Sequence, residues 1–267
     1  MKIITWNING YRAATGQNAS KRYDVITKDN KLFTYIEKEK PDIICLQEIK
    51  ADLEQIDKDL QCPSGYQNFF HTCSVKKGYS GVAVFTKIKP LEVNNKFGIE
   101  KFDGEGRFIE MKFKDFILFN IYFPKGYTDS ERLDYKLEFY DALFSYIEKL
   151  RKKGNKVIIS GDYNTAHKEI DLARPQENIN TSGFLPIERT KLDWMEQHNY
   201  IDTFRLFNEG NGFYTWWSAR GRARENNVGW RIDYNWVSSD LKESVKKAYI
   251  QPEVQGSDHC PVVLELK

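Results

Sequence analysis

The chain has 267 residues, 40% hydrophobic and 29% charged, which is the composition of an ordinary soluble globular protein. Forty basic and 38 acidic residues leave a net charge of +2, so any nucleic-acid surface has to be a local patch. The four cysteines lack C-x-x-C spacing, which argues against a zinc site. Because the chain shows no membrane-length apolar run and no signal-peptide pattern, we expect a single cytoplasmic domain over residues 1–267 without membrane contacts.

The start of the chain combines apolar strand patterns with polar residues at their ends. Lys2–Asn7 is predicted to form a strand that leads into the sequence NING, whose two amides could make a turn or contact a ligand. Lys31–Lys40 has the spacing of a short amphipathic helix, and Asp42–Gln47 that of a strand buried on both faces. The second strand delivers Glu48, which could also be a solvated acid at a strand end.

Four further strand patterns precede the clearest helix pattern. Ser130–Lys152 carries apolar residues at the helical period along its whole length. Tyr122 ends the strand before this helix, so a polar group again stands where an apolar strand finishes. The four strands are predicted at Gly65–His71, Ser80–Thr86, Gly106–Phe113 and Phe116–Tyr122.

The most informative stretch is Lys156–Asp171, with the sequence KVIISGDYNTAHKEID. Its apolar run, VII, predicts a buried strand, which we expect to end in a turn at Ser160 and Gly161. Asp162 and Asn164 follow at once, so a carboxylate and an amide stand where a rigid strand ends, as in many hydrolase sites. The alternative is an Asx-turn in which Asp162 only caps the backbone.

The last third of the chain is again rich in strand patterns. Residues 171–190 lack periodicity and are predicted to form a long functional loop, followed by a short helix at Thr190–His198. Strand patterns cover Tyr214–Trp217, Ile232–Val237 and Gln255–Leu266. Because strands are many and helices few, we predict an α/β (α+β) fold in which two stacked sheets bury both strand faces and the helices lie outside.

The polar residues at the predicted strand ends share one chemistry. They offer hard oxygen ligands with one imidazole and no thiolate, which suits Mg²⁺ or Mn²⁺ rather than zinc. Such a metal beside a general base and a His favours phosphoester hydrolysis. The residues are Asn7, Asn9, Glu48, Tyr122, Asp162, Asn164, Asp233, Asp258 and His259.

Three of these residues allow more specific predictions. Asp258 and His259 are neighbours, and in a strand their side chains would point to opposite faces and take different roles. Asp233 lies in the apolar stretch RIDYNW, where a buried carboxylate needs a partner. The imidazolium of His259 would serve, although a single His is more often a structural residue.

Seven motifs, in order, resemble the exodeoxyribonuclease III family of apurinic/apyrimidinic endonucleases: WNING, QEIK, GYSGV, the Tyr-x-Pro of YFP, GDYNTAHKEIDL, NVGWRIDY and GSDHCP. The resemblance runs from Lys2 to Leu266 and implies a four-layer α/β/β/α sandwich of two packed mixed β-sheets flanked by helices. The wider superfamily, which includes pancreatic deoxyribonuclease, sphingomyelinases and inositol-polyphosphate phosphatases, shares the acid, GD-x-N and SDH motifs. The chain departs from the family by extra length between Arg12 and Pro41.

The resemblance also implies roles for the site residues, beginning with the metal. Glu48 would be the main Mg²⁺ ligand, with Asn9 and Asp258 nearby, and Mn²⁺ would substitute. The phosphate, the attacking water and the leaving group would be held by Asn7, Asn164 and Tyr122.

Two assignments of the general base follow from the resemblance. In the first, Asp162 activates the attacking water, while His259, oriented by Asp233, binds a non-bridging phosphate oxygen and stabilises its developing charge. In the second, His259 is itself the base. Both assignments stay open at the level of sequence.

Three apolar residues, Trp216, Trp230 and Ile232, match a pocket that in this family accepts a flipped-out deoxyribose. A sugar that has lost its base fits, and extrusion costs least where no base is stacked. Packing in the core is the alternative role for these side chains.

The arginine segment, residues 218–231, holds four Arg and one Glu, a net charge of +3, and resembles the loop that the family places in the DNA minor groove. Some members have bulky apolar residues where this chain has Arg220 and Gly221, which favours phosphate contacts here. Arg220, Arg222 and Arg224 alternate with small residues, so an extended loop would aim all three the same way. Further positions that match DNA contacts are Lys50, Tyr79, Arg132 and Asn178.

The predicted function is that of a Mg²⁺-dependent DNA-repair phosphodiesterase. It would act as a monomer on double-stranded DNA, cut 5′ to an abasic site and leave a 3′-hydroxyl, with 3′-end cleaning and 3′→5′ exonuclease activity. One alternative is a phosphodiesterase for lipid or inositol phosphates. The other is a catalytically inactive nucleic-acid-binding regulator.

Overall fold

The computed structural model describes residues 1–18, 29–127 and 130–267. In this part of the chain, strands form two six-stranded sheets and one two-stranded ribbon. The strands are β1 (Lys2–Asn7), β2 (Ile43–Gln47), β3 (Gln67–His71), β4 (Val82–Thr86), β5 (Glu92–Asn94), β6 (Phe108–Lys112), β7 (Ile117–Tyr122), β8 (Val157–Asp162), β9 (Tyr200–Asp202), β10 (Trp216–Trp217), β11 (Gly229–Trp230), β12 (Asp233–Ser238), β13 (Val245–Ile250) and β14 (Val262–Leu266). The α-helices are α1 (Tyr11–Ala14), α2 (Lys31–Glu39), α3 (Glu100–Asp103), α4 (Ser130–Arg151), α5 (Pro175–Asn178) and α6 (Pro186–Gln197).

Both six-stranded sheets are mixed. The first has the strand order β13-β14-β1-β2-β4-β3, and its parallel pair is β1 with β2. The second has the order β5-β6-β7-β8-β12-β9, with β7 and β8 parallel. The ribbon pairs β10 with β11, and so brings Trp216 opposite Trp230.

Alternate residues of the central strands face different cores, which is why these strands read as continuous apolar runs. In β8, Ile158 belongs to the core between the two sheets, whereas Ile159 packs under α4 and α6. In β1, Ile3 faces the second sheet and Ile4 packs under α1 and α2. Helices thus cover the outer face of each sheet, and the predicted four-layer α/β sandwich is confirmed.

The topology brings the polar ends of six strands to one edge of the sandwich. Parallel β1 and β2 end side by side at Asn7 and Gln47, just before Glu48. Parallel β7 and β8 end side by side at Tyr122 and Asp162. Strand β12 begins here with Asp233 opposite Asp162, since it runs antiparallel to β8. Strand β14 runs antiparallel to β1, so the residues that precede it arrive at the same edge.

Several predicted boundaries differ from the structure. Strand β8 continues through Gly161 to Asp162 rather than turning at Ser160 and Gly161. The glycine is needed there for close packing, because a Cβ on Gly161 would lie 1.9 Å from the carbonyl oxygen of Ile121. The predicted loop at residues 171–190 contains α5 and the start of α6, which begins at Pro186 rather than at Thr190. Proline at the first turn of a helix is a start signal that the apolar periodicity did not show.

Part of the sequence prediction falls outside the described residues. The irregular stretch and the extra length between Arg12 and Pro41 include residues 19–28, which the structure does not describe. Among the helices that it does describe, none combines the length and the apolar character needed to cross a membrane.

Candidate active site

A cavity of about 360 Å³ opens at the edge where the polar strand ends meet. Its polar base, called the floor, includes Tyr122, Asp162, Asn164 and His259. Its apolar wall consists of Trp216, Trp230 and Ile232, and such a mixture of polar and apolar lining is common in small-ligand sites. Eleven of the residues predicted from sequence line it: Asn9, Glu48, Lys50, Tyr122, Asp162, Asn164, Trp216, Trp230, Ile232, Asp258 and His259.

A buried amide links the ends of the two sheets beneath the cavity. The side chain of Asn7, fully buried, donates to Glu48 Oε2 at 3.0 Å and to Asp162 Oδ2 at 2.8 Å. Asp162 also accepts the backbone N–H of Asn164 at its other oxygen, at 2.8 Å. Asn7 therefore fixes the distance between an acid from the first sheet and an acid from the second.

A second chain of contacts runs along the rim of the floor. Lys50 Nζ lies 2.7 Å from Glu48 Oε1 and donates to Asn9 Oδ1 at 2.6 Å. Asn9 Nδ2 in turn donates to Asp258 Oδ1 at 2.7 Å. Glu48 and Lys50 both have left-handed backbones, with φ of 58° and 52°, which is uncommon for residues of this kind. Such conformations are typical of functional sites, where surrounding hydrogen bonds impose them.

His259 and Asp233 form a buried pair on the other side of Asp162. The His259 Nδ1 atom lies 2.9 Å from Asp233 Oδ2, and Nε2 lies 4.0 Å from Asp162 Oδ2. The backbone N–H of His259 donates to Ser257 Oγ, which itself donates to the Asn7 carbonyl. The predicted pairing of Asp233 with an imidazole is present in the structure, and it leaves Nε2 directed toward Asp162.

The electrostatics of the floor follow from burial and from these pairs. Burial and the neighbouring Asp233 raise the pKa of the Asp162 carboxyl above its usual range. Burial lowers the pKa of His259, but attraction and hydrogen bonding to Asp233 outweigh it and raise that pKa. Burial raises the pKa of Tyr122, so its hydroxyl stays protonated and can donate.

One prediction about the two neighbours before β14 is wrong. Asp258 and His259 do not belong to a strand, because β14 begins only at Val262. Both side chains line the same cavity instead of pointing to opposite faces. The bend that allows this is held by Ser257, which accepts from the His259 N–H and donates to the Asn7 carbonyl.

The apolar wall stands directly beside the floor. The rings of Trp216 and Trp230 meet edge to face with centroids 6.4 Å apart, and Ile232 packs with them. Trp216 Nε1 donates to Asp258 Oδ2 at 3.1 Å, which ties the wall to the rim. Neither tryptophan is fully buried, so both offer ring surface to a ligand.

The structure of the arginine segment differs from the sequence prediction of an extended loop. Residues 219–227 form turns rather than an extended loop, and the three arginines have different surroundings. Arg224 donates to the carbonyls of Ser257 and Val254 and lies over the Trp217 ring. Arg222 pairs with Glu225 and stays exposed, and Arg220 is exposed as well. Arg224 is thus part of the scaffold, and only two of the three arginines face solvent.

The remaining predicted DNA contacts lie outside the cavity lining. Tyr79 and Arg132 belong to one network, in which Arg132 and the buried Arg107 both donate to the Tyr79 hydroxyl. Arg107 also donates to the Tyr122 carbonyl at 3.0 Å and lies over the Tyr122 ring. Asn178 is half-buried and donates to the carbonyl of Arg174, the residue just before its own short helix.

Sequence reasoning missed several residues of the site. Lys125 and the loop Thr181–Gly183 line the cavity, and Arg107 supports Tyr122 from behind. Lys125 directly follows the Tyr-x-Pro motif, which could have indicated it. Thr181–Gly183 falls within the functional loop predicted at residues 171–190, although no pattern singles these residues out. For Arg107 the sequence holds no signal, because its position depends on contacts between distant segments.

The donor set at the rim fits a divalent cation that prefers oxygen ligands. Glu48, Asn9 and Asp258 offer carboxylate and amide oxygens, and the Lys50 ammonium already contacts Glu48 Oε1 and Asn9 Oδ1. The oxygens of Glu48 and Asn9 therefore point toward the same position, where a cation can be bound. Asp162, Asp233 and His259 also place ligand atoms within 4.8 Å of one another, although His259 Nδ1 is already paired with Asp233 Oδ2, and Asp162 Oδ2 accepts from Asn7.

Comparison with known proteins agrees with the geometry. The endonuclease/exonuclease/phosphatase family matches residues 4–259. The chain is 42% identical to an exodeoxyribonuclease of Bacillus subtilis, over 99% of this chain and 98% of that protein. It is 40% identical to a DNA-(apurinic or apyrimidinic site) endonuclease of Dictyostelium discoideum, over 98% of this chain and 69% of that one.

A solved structure extends the similarity to three dimensions. The AP endonuclease of Leishmania major superposes with a TM-score of 0.85 at 31% identity, over 100% of this chain and 87% of that one. Both the fold and the motifs thus agree with relatives along the whole chain. The chain belongs to the endonuclease/exonuclease/phosphatase family, as a DNA-repair nuclease of the exodeoxyribonuclease III and AP endonuclease type.

Proposed function

We propose that this nuclease cuts the DNA backbone 5′ to abasic sites in a Mg²⁺-dependent reaction that leaves a 3′-hydroxyl. Removal of 3′-blocking groups and 3′→5′ exonuclease activity use the same site. The observation that carries the proposal is the position of the apolar wall, Trp216, Trp230 and Ile232, in the same cavity as the polar floor. A sugar without its base can enter against this wall while its phosphate lies on the floor.

Asp162 is the proposed general base. It lies at the end of a buried strand, and its two oxygens are oriented by Asn7 and by the Asn164 backbone. His259 Nδ1 is committed to Asp233, so Nε2 faces the cavity and is placed to donate to a non-bridging phosphate oxygen. Asp233 and Asp162 flank the ring, an arrangement that favours its protonated form. The geometry therefore favours Asp162 over His259 as the base.

The remaining floor residues position the phosphate. Tyr122 is held by Arg107 with its hydroxyl protonated, and it is placed to donate to the phosphate or the leaving oxygen. Asn164 and Asn7 orient the water and the scissile group by hydrogen bonds. Glu48, Asn9 and Asp258 would hold Mg²⁺, or Mn²⁺ in its place. Bound there, the cation would neutralise charge on the phosphate.

Contacts outside the cavity would hold the duplex. Arg220 and Arg222 are exposed on the turns that follow β10 and suit phosphate contacts that carry no base information. Lys50 at the rim and Tyr79, Arg132 and Asn178 outside the lining are further proposed backbone contacts. We also propose that the chain folds as one domain and acts as a monomer.

The test is a cleavage assay with matched substrates. A duplex with one abasic site, the same duplex intact, a duplex with a recessed 3′-phosphate and an inositol phosphate are each incubated with Mg²⁺ or with EDTA. We expect rapid incision of the abasic duplex with Mg²⁺ only, and a product whose 3′ end a polymerase extends. Cleavage of the inositol phosphate alone would contradict the proposal, and so would binding of DNA without cleavage.

A further inference from the structure

A fully buried ion pair lies behind the cavity, between helices α4 and α6. Lys136 Nζ is 2.6 Å from Glu188 Oε1, and both side chains are 0% exposed. Neither residue lines the cavity. A buried ion pair is weak grounds for stability, since desolvation of the two charges can exceed their attraction. The other groups that the pair holds therefore indicate its role.

The lysine holds the backbone next to the general base. Lys136 Nζ donates to the Asn164 carbonyl at 2.7 Å. Asn164 has a left-handed backbone with φ of 50°, and its N–H donates to Asp162 Oδ1. Its side chain donates to the Phe123 carbonyl at 2.9 Å. Lys136 thus fixes the peptide carbonyl of Asn164, the residue whose N–H orients Asp162.

The glutamate holds the Ser182–Gly183 loop, which packs against Trp230. Glu188 accepts from the Ser182 hydroxyl at 3.0 Å, from the Gly183 N–H and from the Leu185 N–H at 3.1 Å. Gly183 is packed so closely that a Cβ there would lie 3.1 Å from the Trp230 ring and 3.2 Å from the Asn164 carbonyl oxygen. The position of this loop therefore sets the width of the pocket at Trp230.

We propose that Lys136 and Glu188 are positioning residues that couple the orientation of Asp162 to the width of the abasic pocket. The lysine acts on the rate of the chemical step, because it holds the Asn164 peptide. The glutamate acts on substrate discrimination, because it holds the Ser182–Gly183 loop against Trp230. The second half rests on the proposed abasic specificity, whereas the first needs only the nuclease activity of the family.

The experiment compares this pair with a contact of Arg151 at the other end of the same two helices. Arg151 of α4 pairs with Glu148 at 2.9 Å and donates to the carbonyl of His198, just past α6, at 2.7 Å. Arg151→Met thus removes a similar helix-to-helix contact far from the cavity. The variants Lys136→Met, Lys136→Arg, Glu188→Gln, Arg151→Met and the double variant Lys136→Met with Glu188→Gln are measured for thermal unfolding and for single-turnover cleavage of abasic and intact duplexes.

The expected result separates positioning from stability. We expect Lys136→Met to lower the single-turnover rate at saturating abasic duplex by about 10- to 100-fold, as small misplacements of reacting groups do, with Lys136→Arg partly restoring it. We expect Glu188→Gln to raise KM for the abasic duplex and to reduce the preference for it over the intact duplex. Arg151→Met should lower the unfolding temperature while its rate per folded molecule stays at the wild-type value.

The double variant keeps the test decisive if a single variant fails to fold. It leaves no unpaired buried charge, so it is expected to fold, yet it lacks the donor to the Asn164 carbonyl. A double variant that cleaves at the wild-type rate would overturn the inference, as would rates that follow the folded fraction alone in every variant. If instead the wild type shows no abasic preference, the proposed specificity fails, while the rate effect of Lys136 is still measured on whichever duplex is cut.

Discussion

The polar floor holds buried charges that are fixed by partners, whereas the arginine segment holds exposed charges on turns. On the floor, Asp162 and Asp233 are buried at strand ends, and each is held by partners from other strands or loops. In the segment, Arg220 and Arg222 are exposed on turns, and the guanidinium of Arg222 pairs with the nearby Glu225. Chemistry at one phosphate needs groups fixed to a fraction of an ångström, whereas attraction to a polyanion does not.

Arg224 shows that membership in the arginine segment does not decide whether a charged side chain is exposed or is held by fixed hydrogen bonds. It lies in the same segment, yet it donates to three carbonyls, of Pro252, Val254 and Ser257. Ser257 in turn contacts both Asn7 and His259. Arg224 therefore supports the floor from outside, and we expect its removal to resemble a structural defect rather than a weaker attraction to DNA.

The largest effect is expected at the general base. Asp162→Asn keeps the shape and one acceptor oxygen but cannot take a proton. The rate of the chemical step should fall by about 10²–10⁴-fold, while binding of abasic DNA is retained. Single-turnover cleavage and a binding titration measure the two separately. If Asp162→Asn kept most of its rate, His259 would become the better candidate for the base.

The next effect is expected at the rim. Glu48→Ala removes the proposed principal metal ligand, so the Mg²⁺ concentration for half-maximal activity should rise by about 10–100-fold. Excess Mg²⁺ or Mn²⁺ should partly restore activity, because Asp258 and Asn9 stay in place. The measurement is a metal titration of the cleavage rate with a thermal unfolding control. Unchanged Mg²⁺ dependence would exclude Glu48 as the ligand.

Buried and exposed ion pairs should also differ in how much they make the free energy of unfolding depend on pH. Asp171 accepts from the buried Arg231 at 2.8 Å and from Arg205. Burial raises the pKa of Asp171, but attraction and hydrogen bonds from Arg231 and Arg205 outweigh it and lower this pKa from 3.8 to about 2. A carboxyl with a lowered pKa contributes stability above its unfolded pKa, and this contribution is lost as pH falls toward the folded pKa.

The wild type should therefore lose about 2 kcal/mol of unfolding free energy through this group between pH 4 and pH 2. Asp171→Asn removes this part of the pH dependence. The matched control is Glu225→Gln, since Glu225 is 62% exposed in its pair with Arg222 and should contribute almost nothing. Urea unfolding across this pH range measures both variants, and equal slopes in the wild type and Asp171→Asn would contradict the account.

The smallest effect is expected in the arginine segment. Replacing Arg220 and Arg222 together by Ala should reduce the salt slope of DNA binding by roughly 0.9 for each phosphate that these side chains neutralise. Binding to abasic and intact duplexes should weaken alike, because phosphate contacts carry no base information. Arg224→Ala should instead lower the unfolding temperature with little change in slope. An unchanged slope in the double variant would mean that the segment is a solvated charged face.

The sequence places part of the site because Glu48, Tyr122 and Asp162 each stand at the end of an apolar strand pattern. The run before Asp162 and the run before Glu48 predict buried strands, and parallel strands end at one edge. The partner of Asp233 was also predictable, since a buried carboxylate requires a cation. These two inferences rest on local sequence patterns and general energetic costs, so neither requires knowledge of how distant segments pack.

Other features depend on packing that no local pattern records. The direction of Arg224 follows from carbonyls about 30 residues away. Lys136 falls in the predicted helix Ser130–Lys152 and Glu188 in the predicted loop at residues 171–190, and neither pattern indicates burial, yet both side chains are fully buried. The alternation of arginines predicts a common direction only in an extended chain, and the segment turns instead.

The most direct test of the central claim is the ratio of single-turnover rates on an abasic duplex and on the same duplex intact, for the wild type and for Trp230→Ala. If the wall selects a sugar without a base, the wild type cuts the abasic duplex much faster, and Trp230→Ala brings the two rates closer while the floor residues stay intact. The same ratio in both proteins would contradict the claim that the tryptophan wall beside the floor reads the missing base.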